Sequence, residues 1–513
     1  MTSRILGLVR DQVLAYLFGA GNAMDAFNVA FRIPNLVRDL FAEGAMSAAF
    51  VPTFTRYLTL EGRAAAWRLG NQVLNALVIV TGFLVLLGIV FADPLVRAFA
   101  ETGFAAVPGK LELTVQLTRV MFPFLTLVAI AAACMGMLNS LQRFFVPAVS
   151  PAMFNIGTIV AAFTLVPLIE ARPELGWPPI MAIAIGALLG GLGQILIQWP
   201  LLRHEGYTYQ AVLNPTDEGL HRILILMGPG VLGLAALQVN IFVNTVLATS
   251  EGTGAVSWLN YAFRLMYMPI GLFGVSIATA ALPSISRHAA QDETAGIRNT
   301  VSRGLRLMKM LNVPATIGLI ALATPIVRVI FERGAFTAVD TRATAAALMF
   351  YAPGLIGYSA VKIASPTFYA LHESRTPVFV GVLTVGVNLV LNLIFVRVLG
   401  YGGLALGTAL AALFNAGVLL WLLRKRLGGL DEKAVALAFV KITIASIVMG
   451  MSAYAIHTWL ATQFQSRSTV VEIAQLAVAI GIACVVLAAA AQLLRIWEFM
   501  EAVRVVTRRL GRR

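Results

Sequence analysis

Charge is what this sequence has least of. Asp, Glu, Lys and Arg make up 12% of its 513 residues and apolar side chains 59%, where a soluble domain carries about 25% charge. Such a chain is no ordinary soluble protein. Cysteine is almost absent, and Cys134 and Cys484 both stand in apolar stretches. That argues against a disulfide framework or a cysteine metal site and leaves packing as their role. The five histidines, His204, His221, His288, His372 and His457, show no ligand-like spacing. There is no phosphate-binding glycine loop with its lysine, so no ATPase module, and no nucleophile–base arrangement, so the chain is not read as an enzyme. A secretory signal is not expected either, because the only apolar patch at the start carries Arg4 and Arg10.

What is present is apolar length. Runs of about 18 or more apolar residues recur from end to end, each able to cross a bilayer. The expected architecture is an all-α polytopic membrane protein with fourteen spans at 3–20, 24–57, 70–92, 112–138, 147–169, 178–202, 220–248, 255–285, 304–331, 342–370, 376–398, 402–424, 434–460 and 469–494. With the N-terminus inside, most Lys and Arg fall on the inner side: Arg56, Arg63 and Arg68, then the stretches 287–309 and 424–441, and the tail from Arg504 to Arg513. This fits the positive-inside rule with both termini cytoplasmic. The net charge of +14 then reads as a topology and anionic-lipid signal rather than a nucleic-acid surface.

The sequence is also duplicated. Asn28, Ala30, Phe31 and Arg32 recur as Asn260, Ala262, Phe263 and Arg264. Pro94, Val96, Arg97, Glu101 and Gly103 recur as Pro325, Val327, Arg328, Glu332 and Gly334. Ala49, Pro52 and Arg56 return as Ala280, Pro283 and Arg287, and Arg143 and Pro147 precede Arg375 and Pro377 by nearly the same displacement. Matches in register that include prolines and charges indicate an internal repeat. Six spans per copy is an even number, so the copies run parallel, with a site expected between them. The implied organisation is a first lobe at 1–203, a second lobe at 204–427, two added helices at 428–495 and a basic cytoplasmic tail at 496–513.

Polar chemistry is densest in the second span. Asp25, Asn28, Arg32, Asn35 and Asp39 step by three and four and so share one helical face. Glu43 and Ser47 extend the line, Arg38 stands beside it, and Pro34 is expected to bend the helix. Ser257, Asn260 and Arg264 repeat the first three stripe positions, while Arg38 and Glu43 have no charged counterparts. Arg4, Arg10 and Asp11 add charge to the first span. A charge at the bilayer centre costs about 2.5–3.5 kcal/mol on insertion scales, so these residues face either a water-filled cavity or a partner. The bland alternative is helix-joining ion pairs, Arg10 with Asp25 or Arg38 with Glu43. Against it, the five cations Arg4, Arg10, Arg32, Arg38 and Arg264 outnumber the nearby acids Asp11, Asp25, Asp39 and Glu43. A basic cavity favours an anion, and arginine's planar fork suits phosphate. Lys362 either contacts substrate or snorkels. Asn388 and Asn392, with Asn244 and Thr408, either coordinate a cation or, the preferred reading, join helices by hydrogen bonds.

The run from Asp25 to Pro52, DAFNVAFRIPNLVRDLFAEGAMSAAFVP, closely resembles the MurJ (MviN) lipid II flippases, within the superfamily of multidrug and polysaccharide exporters. So do the start, from Ser3-Arg4 to Arg10-Asp11, and the segment from Ser257 to Arg264. The resemblance implies two six-helix lobes around a central cavity, a groove involving the last two helices, and transport of the undecaprenyl-pyrophosphate-linked peptidoglycan precursor from inner to outer leaflet of the cytoplasmic membrane by alternating access. It implies Arg4, Arg10, Arg38 and Arg264 as the cavity arginines, Asp25 and Glu43 as gate or cavity acids, and Ser257 as a cavity residue. Asn35 and Lys362 complete the substrate-contacting set expected here, with Asp11 and Asp39 among the gate or cavity acids. Asp39 departs from the resemblance, standing where relatives often carry a basic residue. Some members are thought to use sodium through helices seven, eleven and twelve; those helices here offer Asn244, Asn388, Asn392 and Thr408 without a carboxylate. No cofactor is expected beyond coupling to the membrane potential or Na+. Expected partners are lipid II, membrane lipids and cell-wall synthesis machinery, with no nucleic acid. Two rivals remain. A cation or drug antiporter of the same superfamily needs membrane acids rather than a basic cavity, and a non-transporting scaffold leaves the intramembrane arginines without a purpose.

Overall fold

The computed structural model of the chain describes residues 2–39, 45–464 and 468–500. Glu43 and the tail residues from Arg504 onward lie outside the described residues, as does the side chain of Ser47. Every regular element among the described residues is helical. By packing, the chain forms two compact units, Met1–Ser257 with Arg333–Phe336, and Trp258–Glu332 with Thr337–Arg513.

The first unit holds α1 (Thr2–Phe18), α2 (Asn22–Arg38), α3 (Ala45–Leu60), α4 (Arg63–Val90), α5 (Ala92–Phe99), α6 (Thr102–Ala105), α7 (Lys110–Met121), α8 (Phe124–Ser140), α9 (Phe145–Val149), α10 (Ala152–Glu170), α11 (Met181–His204) and α12 (Glu218–Thr249). Its tightest pair is α10 with α11, where Gly157, Gly186 and Gly190 let the backbones meet. A Cβ on Gly157 would stand 2.5 Å from the Gly190 nitrogen and 2.6 Å from its Cα. Small residues serve this purpose in membranes because lipid tails offer helices no hydrophobic drive to associate. Around α8, the side chains of Phe50, Phe54, Trp67, Phe124, Met137 and Tyr207 close a buried core. The segment between α11 and α12 is strapped to α4. Asn71 donates to the Thr208 carbonyl at 3.0 Å and accepts from the Tyr207 hydroxyl at 2.6 Å, and Asn75 donates to the carbonyls of Gln210 and Val212 at 2.9 Å. Both asparagines are buried, and the strap supplies the partners that their amides require away from water.

The second unit holds most of α13 (Ala255–Pro269), then α14 (Val275–Ala290), α15 (Thr294–Ala321), α16 (Ala323–Phe331), α17 (Ala338–Tyr351), α18 (Gly354–Ala370), α19 (Arg375–Leu399), α20 (Tyr401–Leu427), α21 (Glu432–Gln463) and α22 (Thr469–Leu493). Between α13 and α14 the chain widens into a π-helical turn, Ile270–Gly274, directly after Pro269, whose ring removes an amide donor. Of the added pair, α21 packs on α15 through Met310, Val313, Ile442 and Ala445, and α22 packs on α21 and α16.

The duplication is visible in the backbone of each unit. A 28-residue helix followed by a short one occurs as α4–α5 and as α15–α16. The turns after α8 and α18 are the same: Gln142 and His372 both take φ 60°, and the next amides, Arg143 and Glu373, donate to Leu138 and Phe368 at 2.9 Å. From those turns Arg143 reaches Glu205 at 2.7 Å, and Glu373 meets Arg426 at 2.6 Å. An arginine–glutamate pair stands at each turn.

Eight helices among the described residues are long and apolar enough to cross a membrane, or ten if α15–α16, bent by 77°, and α17–α18, bent by 44°, each count as one span. The fourteen expected segments are helical where described, and those at 3–20, 24–57, 220–248 and 255–285 stand outside that set. Helices α1, α2 and α13 are 17, 17 and 15 residues long, each short of the length that spans a bilayer. The bend expected from Pro34 does not end α2, which runs through it to Arg38.

The packing of α10 on α11 predicts that Gly157→Leu lowers stability by at least about 1–3 kcal/mol, the usual cost of overpacking. Gly82→Leu, where nothing lies within 4 Å, should leave the melting temperature of the detergent-purified protein unchanged.

Candidate functional site

The stripe on α2 begins one turn after Gly21, where the backbone is extended (φ −83°, ψ −172°) and the helix starts. Asp25 has no exposure, yet its carboxylate is saturated. Oδ2 accepts from Lys110 Nζ at 3.0 Å and from the Gly254 amide at 2.7 Å. Oδ1 accepts from the Ser257 amide at 3.1 Å and its hydroxyl at 2.7 Å. A carboxylate offers about four acceptor positions, and here each has a donor. Asn28 adds a hydrogen bond to Ser257 Oγ at 3.1 Å. Lys110, also buried, sits 4.3 Å over the Phe104 ring, which favours a desolvated ammonium.

Lys110 is not among the residues singled out from the sequence, so this pair comes from the structure alone. Its only signal was a lone lysine at the edge of an expected span, after Gly109, whose left-handed φ of 74° starts α7. Arg10 was weighed as a partner for Asp25 and is instead paired with its neighbour: both Nε (3.2 Å) and Nη2 (2.8 Å) donate to Asp11 Oδ1. The Arg10 guanidinium also lies 5.1 Å over the Phe154 ring, part of an aromatic wall with Phe31 and Phe124. Arg4 is exposed at the start of α1, and the adjacent turn is tied to α10 by Asn155, which donates to the Ser3 carbonyl at 3.1 Å.

At the other end of the stripe Arg38 repeats the geometry of Arg10, with Nε at 3.1 Å and Nη2 at 2.7 Å from Asp39 Oδ1. Consecutive helical residues point about 100° apart, so both side chains must curl to meet. Each pair is a bidentate arginine donor to one oxygen, leaving a compact dipole on a half-buried surface. Asn35 Oδ1, between the two ends, is buried with no donor among the described residues, an acceptor position that asks for a partner. In the second unit, Arg264 on α13 and Lys362 on α18 are both exposed.

Asn388, Asn392 and Thr408 do come together. Asn392 Nδ2 donates to Asn388 Oδ1 at 3.2 Å, and Asn388 Nδ2 lies 3.5 Å from Thr408 Oγ1. Gly407 allows this, because a Cβ there would run into Asn392 Oδ1. Asn244 belongs to the first unit, where its amide donates to Asn240 at 3.3 Å. A sodium ion would need oxygens from this neutral set, and amide hydrogens are directed at two of them, Asn388 Oδ1 and Thr408 Oγ1. No group of three or more His, Cys, Asp or Glu suited to a metal occurs among the described residues. The arrangement fits interhelical hydrogen bonding between α19 and α20.

The second unit carries its own version of the Asp25 contact. Trp258 Nε1 donates to Asp340 Oδ1 at 2.9 Å, and Asp340 stands 230 residues after Lys110. Asp340 is also held by the capping box that starts α17, reciprocal with Thr337. Where the first half pairs charges, the second uses a neutral indole and one acid.

A family model described as "Lipid II flippase MurJ" matches residues 14–475. Among curated relatives, "Probable lipid II flippase MurJ" of Vibrio cholerae serotype O1 is 36% identical over 425 residues, covering 82% of this chain and 80% of that protein. Its counterpart of Haemophilus influenzae is 35% identical over 491 residues, covering 91% and 93%. "Lipid II flippase MurJ" of Burkholderia cenocepacia is 35% identical over 430 residues, covering 83% and 82%. Among solved structures, a lipid II flippase MurJ in an inward closed conformation is similar with a TM-score of 0.78 and 26% identity over 96% of this chain and 97% of that one. An inward-facing multidrug transporter of the MATE family shares the fold alone, with a TM-score of 0.71 at 16% identity over 84% and 96%.

The geometry around Asp25 predicts that Asp25→Asn and Lys110→Met each cost about 3–5 kcal/mol of stability, because each strands a buried charge or donor. The double variant should recover part of that loss. Thermal unfolding of the four proteins in one detergent measures this, and strictly additive losses would contradict the pairing.

Proposed function

Because the chain belongs to the lipid II flippase MurJ family, a family of multi-pass membrane transporters, we propose that it carries lipid II across the cytoplasmic membrane. The substrate enters from the inner leaflet and leaves to the outer one by alternating access, with both termini cytoplasmic. The observation that carries the reading is the placement of charge: α1 and α2 each seat an arginine–acid pair out of full solvent, Arg10–Asp11 and Arg38–Asp39, and a buried third pair, Lys110–Asp25, ties α7 to α2.

In this reading Arg4, Arg10 and Arg38 bind the pyrophosphate, and Arg264 is the contribution of the second half. Asp11 and Asp39 hold the Arg10 and Arg38 forks until an anion with more charge replaces them, as phosphate does for a guanidinium that donates two parallel hydrogen bonds. Asn35, with its undonated oxygen, serves the sugar–peptide head and Lys362 adds a further cation, while Ser257, expected among the substrate contacts, is buried and committed to Asp25 and Asn28. Asp25 acts as a gate acid at the end of α2 that faces outward, and Glu43 is assigned the same class of role at the other end. The lipid tail stays in the bilayer beside α21 and α22, and the basic tail after 495 meets anionic lipid.

No covalent chemistry is required, so the protein is a transporter and not an enzyme, and no cofactor takes part. Membrane potential is the proposed driver. Moving one charge through 100 mV is worth about 2.3 kcal/mol, so two negative charges leaving an inside-negative cell gain about 4–5 kcal/mol. The neutral Asn388–Asn392–Thr408 chain supports an ion-independent cycle. Cell-wall synthesis enzymes are the proposed partners that supply and consume the substrate.

In cells depleted of their own flippase, wild-type protein should restore lipid II exposure on the outer surface. Arg10→Ala, Arg38→Ala and Arg264→Ala should each lower it about 10-fold or more, since a hydrogen bond to a charged group contributes about 1.5–3 kcal/mol. Normal exposure with all three arginines replaced would sink the reading.

A further inference from the structure

The residues around Asp25 hold more than a carboxylate. The chain leaves the first unit after Ser257, and the segment just before that point is gripped along one face of α2. Asn22 Oδ1 accepts from the Thr253 hydroxyl at 2.8 Å, Asp25 takes the amides of Gly254 and Ser257, and Asn28 donates to Ser257 Oγ. Gly252 and Gly254 lie within this segment at φ 90° and 94°, a region that side-chain-bearing residues rarely adopt, so the segment is built to turn.

The chain touches the first unit again at Arg333–Phe336, and there α1 holds it. The Ala335 amide donates to the Tyr16 carbonyl at 2.8 Å. Gly19 and Gly334, both at φ 60°, make that approach possible, since a Cβ on either would collide with the opposing backbone. Phe336 is buried beside it. Two segments of the first unit, 252–257 and 333–336, are therefore seated on the corner formed by α1 and α2.

We propose that this corner is a clasp on these two segments and that Lys110 is a positioning residue for transport, acting through Asp25. The argument is one of acceptor count. Asp25 gives both oxygens to four donors, and Lys110 is the one cation among them. Both side chains are closed to water, where a charge needs a partner, so Lys110 is what holds the carboxylate in place for Gly254 and Ser257. Removing its charge loosens Gly254 and Ser257 without touching the arginines. The role in transport rests on the lipid II reading, whereas the grip itself does not.

Hydrogen exchange followed by mass spectrometry on the full-length protein in nanodiscs separates the two. Wild-type peptides covering 250–258 should exchange slowly. Lys110→Met should speed that peptide at least 10-fold while α10 and α11 stay protected, and Lys110→Arg should restore slow exchange. Asn22→Ala, which leaves every charge in place, should speed the same peptide and covers the case in which Lys110→Met does not fold. In proteoliposomes, lipid II flipping should fall with Lys110→Met and return with Lys110→Arg. Unchanged exchange in both Lys110→Met and Asn22→Ala overturns the clasp. Faster exchange with unchanged flipping overturns the positioning role. A wild type that exchanges slowly but never flips lipid II sinks the functional reading and leaves the clasp standing.

Discussion

A carboxylate that never meets water has to be answered donor by donor, and Asp25 sets that condition for the first half of this molecule. Its four partners come from the start of α7, from the turn before α13 and from α13 itself. Three separated stretches of sequence must therefore arrive together, or a charge is stranded at a cost of several kcal/mol. The apolar helices supply the frame, but they are interchangeable in a way this contact is not. It fixes what the first turn of α2 packs against and why Lys110 stands at the first residue of α7.

The duplication shows what such a frame preserves. Matching turns in the two halves each carry an arginine–glutamate pair, Arg143–Glu205 and Glu373–Arg426. Lys110 stands where the second half has Asp340, and Asp25 where it has Ser257. Backbone turns are retained, down to the left-handed residue at Gln142 and His372. One half thereby gathered a dense set of cations and acids, while the other kept a neutral version of the same contact, Trp258 on Asp340. A transporter of an asymmetric, anionic lipid has use for such an inequality.

Much of this was legible in the sequence. The period of the α2 stripe, the repeat of Asn28–Arg32 as Asn260–Arg264 and the scarcity of charge led to the fold class and to Arg4, Arg10, Arg38 and Asp25. Pairing was not legible. Arg10 meets Asp11 and Arg38 meets Asp39 because long side chains can curl to an adjacent residue, which helical periodicity does not reveal. Lys110 was hidden because it sits at a span edge, where a lysine normally reaches water. The arginine–glutamate pairs at the matching turns escaped because a search for repeated residues cannot see a repeated interaction. The count of spans differed because α1, α2 and α13 are helices of 17, 17 and 15 residues.

The most direct test of the account is transport itself. Purified protein is placed in sodium-free proteoliposomes with lipid II, and arrival of the headgroup on the opposite leaflet is timed with and without an imposed potassium diffusion potential. Arrival that requires the protein, needs no sodium and speeds when the destination side is positive is the predicted result. Lipid II that stays on its original leaflet, or moves only when sodium is added, would contradict the account.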